Sequence, residues 1–333
     1  MGSHRRLAPS GFDRGATALC VLSAATAALG AVPAHAAPHG HTRAEVDRLY
    51  EEAERATQAF DKAAERAGTL RREVRDAQDH IARGQLRVND LRERLGSLAG
   101  AQYRSGGIDP TVALLFSDDP ADYLDKAATL DRIGAQQAGQ LRELENAMRE
   151  LAQERSEAAG KLAELERSRK AVAAHKRTVE HKLAQARRLL NGLPAADRAA
   201  FDRASRGSRP DLTSAVAPDG RAAAALAAAR TALGRPYVWG ANGPSGFDCS
   251  GLMQWAYAHA GIHLPRTSQE QRFAGHQVPL SQARPGDLVV YRADASHVAM
   301  YAGNGQVIHA PYPGAAVRYD PVGMMPVSSV TRP

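Results

Sequence analysis

The chain contains few aromatic residues and almost no cysteine. Aromatic side chains make up 5% of its 333 residues, and there are two tryptophans and two cysteines. So few large rings argue against one extended core, and the abundance of alanine, arginine and glutamate favours long, exposed helices over part of the chain. For a chain of this length we expect two folded regions rather than one average domain.

Long apolar runs are also missing, except near the N-terminus. Residues 16–32 are apolar, follow a basic start and precede Ala34-His35-Ala36, which has the small–x–small pattern of a cleavage site. We therefore predict a signal peptide over residues 1–36, a mature chain that begins at Ala37, and a secreted protein that is extracellular or cell-wall associated. A membrane anchor is the alternative, but the segment is short for a full span.

The formal net charge is modest, +7 with histidine neutral. A basic excess of this size can attract anionic polymers or membrane surfaces, although a solvated surface without a partner is the simpler explanation. No nucleic-acid-binding motif accompanies it, so we predict no nucleic-acid partner.

Residues 42–100 carry apolar residues at alternating steps of three and four. The pattern runs from Val46 to Leu98, and only Gly84 brings no side chain to it. Such a heptad repeat predicts a long helix with a seam for a partner helix. A second stretch, from about residue 122 to 190, has one regular and one charge-interrupted seam. We predict an antiparallel coiled-coil hairpin over residues 37–190.

Glycine and proline mark the ends of these helices. Gly106, Gly107 and Pro110 predict a break, so we place the tip of the hairpin at about residues 101–121. The tip contains Leu115 and Phe116, which would either dock on a partner or pack on the end of the hairpin. Residues 191–220 have the composition of a linker, and a compact domain of about 110 residues follows at 221–333.

Cys249 is the one cysteine outside the predicted signal peptide. An unpaired thiol is unusual in an exported protein. It precedes a stretch, Ser250–Ala260, with the apolar rhythm of a buried helix. Free N–H groups and the helix dipole at such a start favour a thiolate and can donate to a developing oxyanion. The alternative is a buried structural cysteine.

Two histidines lie on predicted paired strands. Residues 297–301 and 306–310 alternate as strands around the turn Ala302-Gly303-Asn304-Gly305, which brings His297 and His309 close together. One imidazole can pair with the thiol while the other orients it, as in a nucleophile–base–orienter triad. A zinc site formed by the cysteine and both histidines is the alternative, although it lacks a fourth ligand.

These segments resemble the NlpC-type family of cell-wall cysteine peptidases over about the last third of the chain. The resemblance rests on five segments, namely Asp248-Cys249-Ser250-Gly251-Leu252 around the nucleophile, His297 with Tyr301-Ala302-Gly303, His309, Tyr237-Val238-Trp239-Gly240 and Arg266-Thr267-Ser268. It implies an α+β fold overall, in which a papain-like domain of helices packed on an antiparallel sheet follows the helical hairpin.

The resemblance also implies roles for single residues. Cys249 would be the nucleophile, His297 the base and His309 its orienter, with no cofactor and no metal. The substrate-binding residues are predicted from the same motifs: Tyr237 near the thiol, Asp248 on the amino group of the stem peptide, Ser250 in the same pocket and Arg266 on a carboxylate. Trp239 is expected to be a core residue.

The implied function is that of a secreted peptidoglycan endopeptidase. Members of the family cleave stem peptides, commonly between D-glutamate and a diamino acid. A scaffold or regulatory protein of cell division that acts through the coiled coil is an alternative, and an amide transferase using the same thiol is another. We hypothesise that the hairpin or the linker restrains the active site until a membrane-associated division or regulatory partner engages the hairpin.

Overall fold

The computed structural model describes residues 39–104, 120–199 and 220–333. The predicted signal peptide, most of the predicted hairpin tip with Leu115 and Phe116, and most of the predicted linker lie outside these residues. Within the described ranges, no helix combines the length and the apolar character needed to cross a membrane.

Two long helices form the N-terminal region. Helix α1 spans His39–Arg104 and α2 spans Pro120–Gly192. Ion pairs join them in opposite chain order: Glu52–Lys182, Arg66–Glu164 and Arg87–Glu143. The helices therefore run antiparallel, which confirms the predicted hairpin.

The heptad positions of α1 form the seam with α2. Nine of them are almost fully buried: Val46, Leu49, Ala53, Ala56, Ala67, Leu70, Val74, Val88 and Leu91. At Gly84, a Cβ would lie 3.3 Å from Leu151 Cδ1, so the missing side chain leaves room for α2. Leu141, Met148 and Leu162, from the charge-interrupted seam of α2, are exposed instead.

The C-terminal domain contains helices and one antiparallel sheet. The helices are α3 (Gly220–Thr231), α4 (Cys249–His259) and α5 (Ser268–Gln271), and a 3₁₀ turn spans Leu280–Gln282. The strands are β1 (His276–Val278), β2 (Leu288–Tyr291), β3 (His297–Gly303), β4 (Gln306–His309), β5 (Arg318–Pro321) and β6 (Val327–Arg332). Their order in the sheet is β1-β6-β2-β3-β4-β5.

Both faces of the central strands are covered, because successive side chains of a strand point to opposite sides. Val290 and Val298 pack with Leu252 of α4 on one face. Val289 and Ala299 lie on the other face, in a second apolar cluster. This layering of helices on an antiparallel sheet confirms the predicted α+β class. Strands β3 and β4 lie within two residues of their predicted positions, whereas β1 and β6 were not predicted.

Candidate active site

Cys249 is the first residue of α4, and its side chain is fully buried. The preceding Asp248 caps the helix, because its Oδ1 accepts a hydrogen bond from the Gly251 N–H at 2.7 Å. Position 251 requires glycine, since a Cβ there would lie 2.2 Å from the carbonyl oxygen of Ala241. The glycine-rich loop therefore packs tightly on the helix start and fixes the position of the thiol.

The two histidines form a hydrogen-bonded chain with an aspartate. His297 begins β3 and His309 ends β4, and His297 Nε2 lies 2.8 Å from His309 Nδ1. His309 Nε2 lies 2.8 Å from Asp320 Oδ2 on the neighbouring strand β5. We assign the protons from this network: Asp320 accepts from His309 Nε2–H, so His309 Nδ1 accepts from His297 Nε2–H. His297 Nδ1 is then the nitrogen that remains for other chemistry.

The surroundings of His309 keep this imidazole neutral. Burial lowers the pKa of His309 to about 4, even though the hydrogen bond to Asp320 opposes the shift. Burial also disfavours the Asp320 carboxylate, but hydrogen bonds from His309 and Arg318 outweigh burial and lower the pKa of Asp320. An ionised aspartate beside a neutral imidazole holds the orientation and the tautomer of His309.

Helix α1 inserts three polar side chains into this site. Glu54, Gln58 and Asp61 are 5%, 2% and 3% exposed. Their spacing of four and then three residues places them on one face of the helix. All three contact residues of the C-terminal domain rather than α2, so α1 serves both the hairpin and the active site.

Glu54 binds the free nitrogen of His297. One carboxylate oxygen of Glu54 forms a short hydrogen bond with His297 Nδ1, and the other accepts from Arg292 Nη1 at 2.6 Å. Burial disfavours a charged Glu54, but His297 and Arg292 together outweigh burial and lower its pKa. The ionised Glu54 thus occupies His297 Nδ1, the ring nitrogen that would otherwise be available to the Cys249 thiol.

Gln58 contacts the thiol of Cys249 directly. Its Nε2 lies 3.5 Å from Cys249 Sγ and donates to Ser250 Oγ at 3.2 Å. Its Oε1 accepts from the backbone N–H and the hydroxyl of Ser268, at 2.7 and 2.9 Å. A carboxamide therefore lies against the thiol with both its donor and its acceptor satisfied.

Asp61 contacts a buried ion pair on the other side of Cys249. Arg266 Nη2 lies 2.5 Å from Asp248 Oδ2 and 3.1 Å from Asp61 Oδ1. Burial, reinforced by the negative charge of Asp248, raises the pKa of Asp61 to about 8, although Arg266 opposes the shift. Two carboxyl groups thus share one guanidinium, and Asp61 holds a proton at neutral pH.

The thiol itself is protonated in this arrangement. Burial raises the pKa of Cys249 well above its ordinary value, and the negative charges of Glu54 and Asp248 raise it further. The helix start favours a thiolate, but it does not overcome these opposing effects while α1 fills the site.

The predicted substrate-binding residues also gather around the thiol. Arg266 Nη1 donates to Ser250 Oγ at 3.0 Å and to Asp248 Oδ1 at 3.1 Å. Tyr237 is buried, and burial followed by the nearby Cys249 raises its pKa well above the ordinary value. Their roles toward a substrate stay predictions, and the carboxylate of Asp248 is already paired with Arg266.

Trp239 lies at the boundary between the domain and α1. It is half-buried and packs against the domain core, as expected, but its ring also meets Phe60 of α1 edge-on, with 5.1 Å between centroids. Tyr50 of α1 stacks on Tyr312 at 4.9 Å. Aromatic contacts therefore accompany the polar contacts of the inserted helix face.

Sequence reasoning missed five residues of the site: Glu54, Gln58, Asp61, Arg292 and Asp320. The three α1 residues lie outside the apolar heptad positions, where polar residues normally face water, so no local pattern distinguishes them. Asp320 lies on β5 beside the strand of His309, a pairing that the sheet makes visible. Arg292 follows β2 in a loop with no recognisable motif.

The site also contains potential metal ligands. One ligand atom each from Glu54, Cys249 and His297 lies within 4.8 Å of the others. The oxygens of Glu54 are already bound by His297 and Arg292, and the guanidinium of Arg292 disfavours a cation there. In the zinc alternative raised from the sequence, the two histidines bind each other and not a common point.

A cavity of about 430 Å³ adjoins the filled site. Its walls include Glu54, Tyr237, Arg292, His309 and Arg318. The site therefore continues past Glu54 into open space, on the side of Cys249 where the histidines lie.

Comparison with known proteins gives consistent matches, and the family match lies in the C-terminal domain. Residues 234–330 match the NlpC/P60 family. A probable endopeptidase of Corynebacterium glutamicum is 40% identical over 152 residues, covering 43% of this chain and 72% of that protein. The peptidoglycan endopeptidase RipA of Mycolicibacterium smegmatis is 48% identical over 111 residues, covering 28% of this chain and 22% of that protein.

Solved structures are also similar to part of the chain. A hypothetical invasion protein of Mycobacterium tuberculosis is 36% identical with a TM-score of 0.32, and the match covers 34% of this chain. This chain spans 61% of the length of that structure.

Proposed function

Because the chain belongs to the NlpC/P60 family of cysteine peptidases, we propose that it is a secreted endopeptidase that cleaves peptidoglycan stem peptides, at the bond between D-glutamate and the following diamino acid. The hydrogen-bonded chain from Asp320 through His309 to His297, which ends beside Cys249, carries this proposal. Relatives named as endopeptidases support it.

The reaction begins once α1 has left the site. Cys249 then regains solvent and loses the negative charge of Glu54. Once His297 Nδ1 has given to solvent the proton that it shared with Glu54, it accepts the proton of the thiol, and the two groups form an ion pair. The thiolate attacks the amide carbonyl carbon. The negative charge that develops on the carbonyl oxygen is stabilised by N–H groups at the start of α4.

Proton transfer completes both halves of the cycle. His297 gives its proton to the departing amine, the carbon–nitrogen bond breaks, and a thioester joins the acyl group to Cys249. A water then loses a proton to His297 and attacks the thioester, and His297 returns that proton to the thiol as the product acid leaves. His309 and Asp320 hold His297 in position throughout.

We also propose that the chain is made in a restrained form. Glu54 binds the base, Gln58 covers the nucleophile and Asp61 binds Arg266, so a substrate cannot reach the thiol while α1 is in place. Release of α1 by a membrane-associated division or regulatory partner that binds the hairpin would start the reaction.

Hydrolysis of purified peptidoglycan tests the proposed activity. The mature chain from Ala37, carrying Glu54→Ala and Gln58→Ala, should release fragments that end at D-glutamate, identified by mass spectrometry. The same chain with Cys249→Ala should release none. Products that end at another residue would refute the proposed bond, and products with an added amine would show transfer instead of hydrolysis. Absence of products, with Cys249 accessible to alkylation, would favour a scaffold role.

A further inference from the structure

The inserted face of α1 has the chemical order of a peptide substrate. It presents a carboxylate at Glu54, a carboxamide at Gln58 and a carboxyl group at Asp61. The carboxamide lies against the nucleophile, and each acidic group meets an arginine, Arg292 on one side and Arg266 on the other. The helix therefore places an acidic group beside an arginine on each side of the carboxamide, which lies where a scissile amide would lie.

The rise of the helix sets the spacing of these groups. Gln58 is separated from Asp61 by about 4.5 Å along the axis and from Glu54 by about 6 Å. In a γ-glutamyl amide, the free α-carboxylate lies at the far end of a short side chain. A carboxylate at the end of a longer diamino acid side chain lies farther from the amide on the other side. The longer of the two separations, from Gln58 to Glu54, thus corresponds to the diamino acid side of the substrate.

The reaction chemistry fixes which side receives the amine. The departing amine must take its proton from His297 Nδ1, so the amine component lies next to that nitrogen. In the restrained form, Glu54 binds His297 Nδ1 with one carboxylate oxygen and Arg292 with the other. Arg292 therefore lies on the side of the amine component, and Arg266 on the side of the acyl component.

Removal of α1 leaves Arg292 without an acidic partner. Among the described residues, the carboxylates paired with Arg292 are Glu54 at 2.6 Å and Glu51 at 3.7 Å, and both belong to α1. Arg266, by contrast, keeps its pair with Asp248. The open cleft thus presents one guanidinium that has lost its acidic partners, and in the restrained form this group lines the 430 Å³ cavity.

The backbone holds this guanidinium in place. Arg292 has a φ of +65°, in the left-handed region that residues other than glycine rarely adopt, and its N–H donates to the Pro326 carbonyl at 2.8 Å. Unfavourable backbone conformations of this kind are typical of ligand clamps.

We propose that Arg292 is a specificity-determining residue that binds a carboxylate on the diamino acid of the substrate, and that Glu54 takes the place of this carboxylate in the restrained form. The inference rests on the proposed function and deepens it. It predicts a preference for a diamino acid with a carboxylate at the end of its side chain, as in diaminopimelate, over lysine, which lacks that group.

Two peptides test the proposal: L-alanyl-γ-D-glutamyl-diaminopimelate and L-alanyl-γ-D-glutamyl-L-lysine. The mature chain with Glu54→Ala should have a kcat/KM for the first peptide about 10- to 100-fold above that for the second, the range of a buried charge-assisted hydrogen bond. Opening of the cleft precedes binding of either peptide, so the open fraction multiplies both rates equally and cancels from their ratio.

Arg292→Asn in that chain should bring the ratio close to one, and Arg292→Lys should give an intermediate ratio. Asparagine tolerates positive φ better than alanine, so this variant preserves the loop. Arg272→Ala removes a half-buried arginine that does not line this cavity, as the matched control, and should leave the ratio unchanged.

The outcomes separate the two proposals. If both peptides are cleaved and Arg292→Asn leaves their ratio unchanged, the role of Arg292 is refuted while the endopeptidase stands. If neither peptide is cleaved although Cys249 reacts with an alkylating agent, the endopeptidase and the role of Arg292 are both refuted.

Discussion

Glu54 binds the one ring nitrogen of His297 that His309 does not use. His297 therefore binds a carboxylate of α1 instead of the Cys249 thiol that it is proposed to activate. Because Cys249 keeps its proton in the same arrangement, the proposed nucleophile and the proposed base are both covered by residues separated by one helical turn, Gln58 and Glu54.

Loss of Glu54 should activate the enzyme. Removing one partner of a buried ion pair costs about 3–5 kcal/mol, since the other charge is left unpaired. Glu54→Ala should thus weaken the restrained form and raise the rate of peptidoglycan hydrolysis by the mature chain at least about tenfold. Glu45→Ala, which removes an exposed partner of Arg48 on the same helix, is the control and should have no effect. Equal rates for all three chains would refute restraint by Glu54.

Cys249 should react slowly with alkylating agents until α1 moves. The thiol is buried and its pKa is raised by burial, so iodoacetamide should modify the mature chain much more slowly than the Gln58→Ala variant. Because Cys249 is the single cysteine after residue 36, intact-mass spectrometry reads the modification directly. Fast alkylation of the unaltered chain, comparable to that of the unfolded chain, would contradict the closed arrangement.

Loss of the Asp320 carboxylate should lower kcat and leave KM nearly unchanged. Asp320→Asn keeps the shape but removes the charge that fixes the tautomer of His309, and the loss of an orienting carboxylate lowers turnover strongly in related triads. In the Glu54→Ala chain, we expect kcat to fall at least about tenfold with little change in KM.

Arg318→Gln provides the comparison for Asp320. This change removes the other partner of Asp320, 2.7 Å away, but leaves the carboxylate on His309. It should therefore lower kcat less than Asp320→Asn does. An equal loss in both variants would indicate that the pair supports β5 and not the histidine.

Asp61 should make the restrained form sensitive to pH. Burial, together with Asp248, raises the pKa of Asp61 to about 8 in the closed state, against an ordinary value of 3.8. The open state therefore releases a proton that the closed state keeps between about pH 4 and 8. Rising pH favours opening across this window, and this group has no further effect above it.

Tryptophan fluorescence can follow this opening, since Trp239 packs on Phe60 of α1. In a Trp255→Phe background, the emission of Trp239 should change between pH 5 and 8, and Asp61→Asn should remove most of the change. A pH response of the same size in the asparagine variant would assign the effect to another group.

Periodic patterns carried most of the fold prediction. The heptads of α1 describe a seam that repeats every two turns, and the alternation around His297 and His309 describes paired strands, so both were visible locally. Strands β1 and β6 were not, because β6 joins the sheet between β1 and β2 by long-range pairing. Short strands without strong alternation depend on such partners rather than on their own sequence.

The inserted face of α1 was hidden for a related reason. Gln58 lies 191 positions from Cys249 in the chain, and a buried glutamine on a helix has the same local signature as an exposed one. Restraint by the hairpin or the linker was a hypothesis from a long hairpin joined by a flexible linker to a hydrolase. The α1 residues proposed to carry it are defined only in three dimensions.

The continuity of α1 has a mechanical consequence. The three side chains that occupy the cleft belong to one unbroken helix of 66 residues, and about 65 Å of it extends beyond Asp61. A stiff rod does not release one contact and keep the other two, so the contacts break together when the far end is displaced. The response to a pull or a tilt is then all-or-none. States in which only one or two of the three contacts are broken are therefore rarely populated.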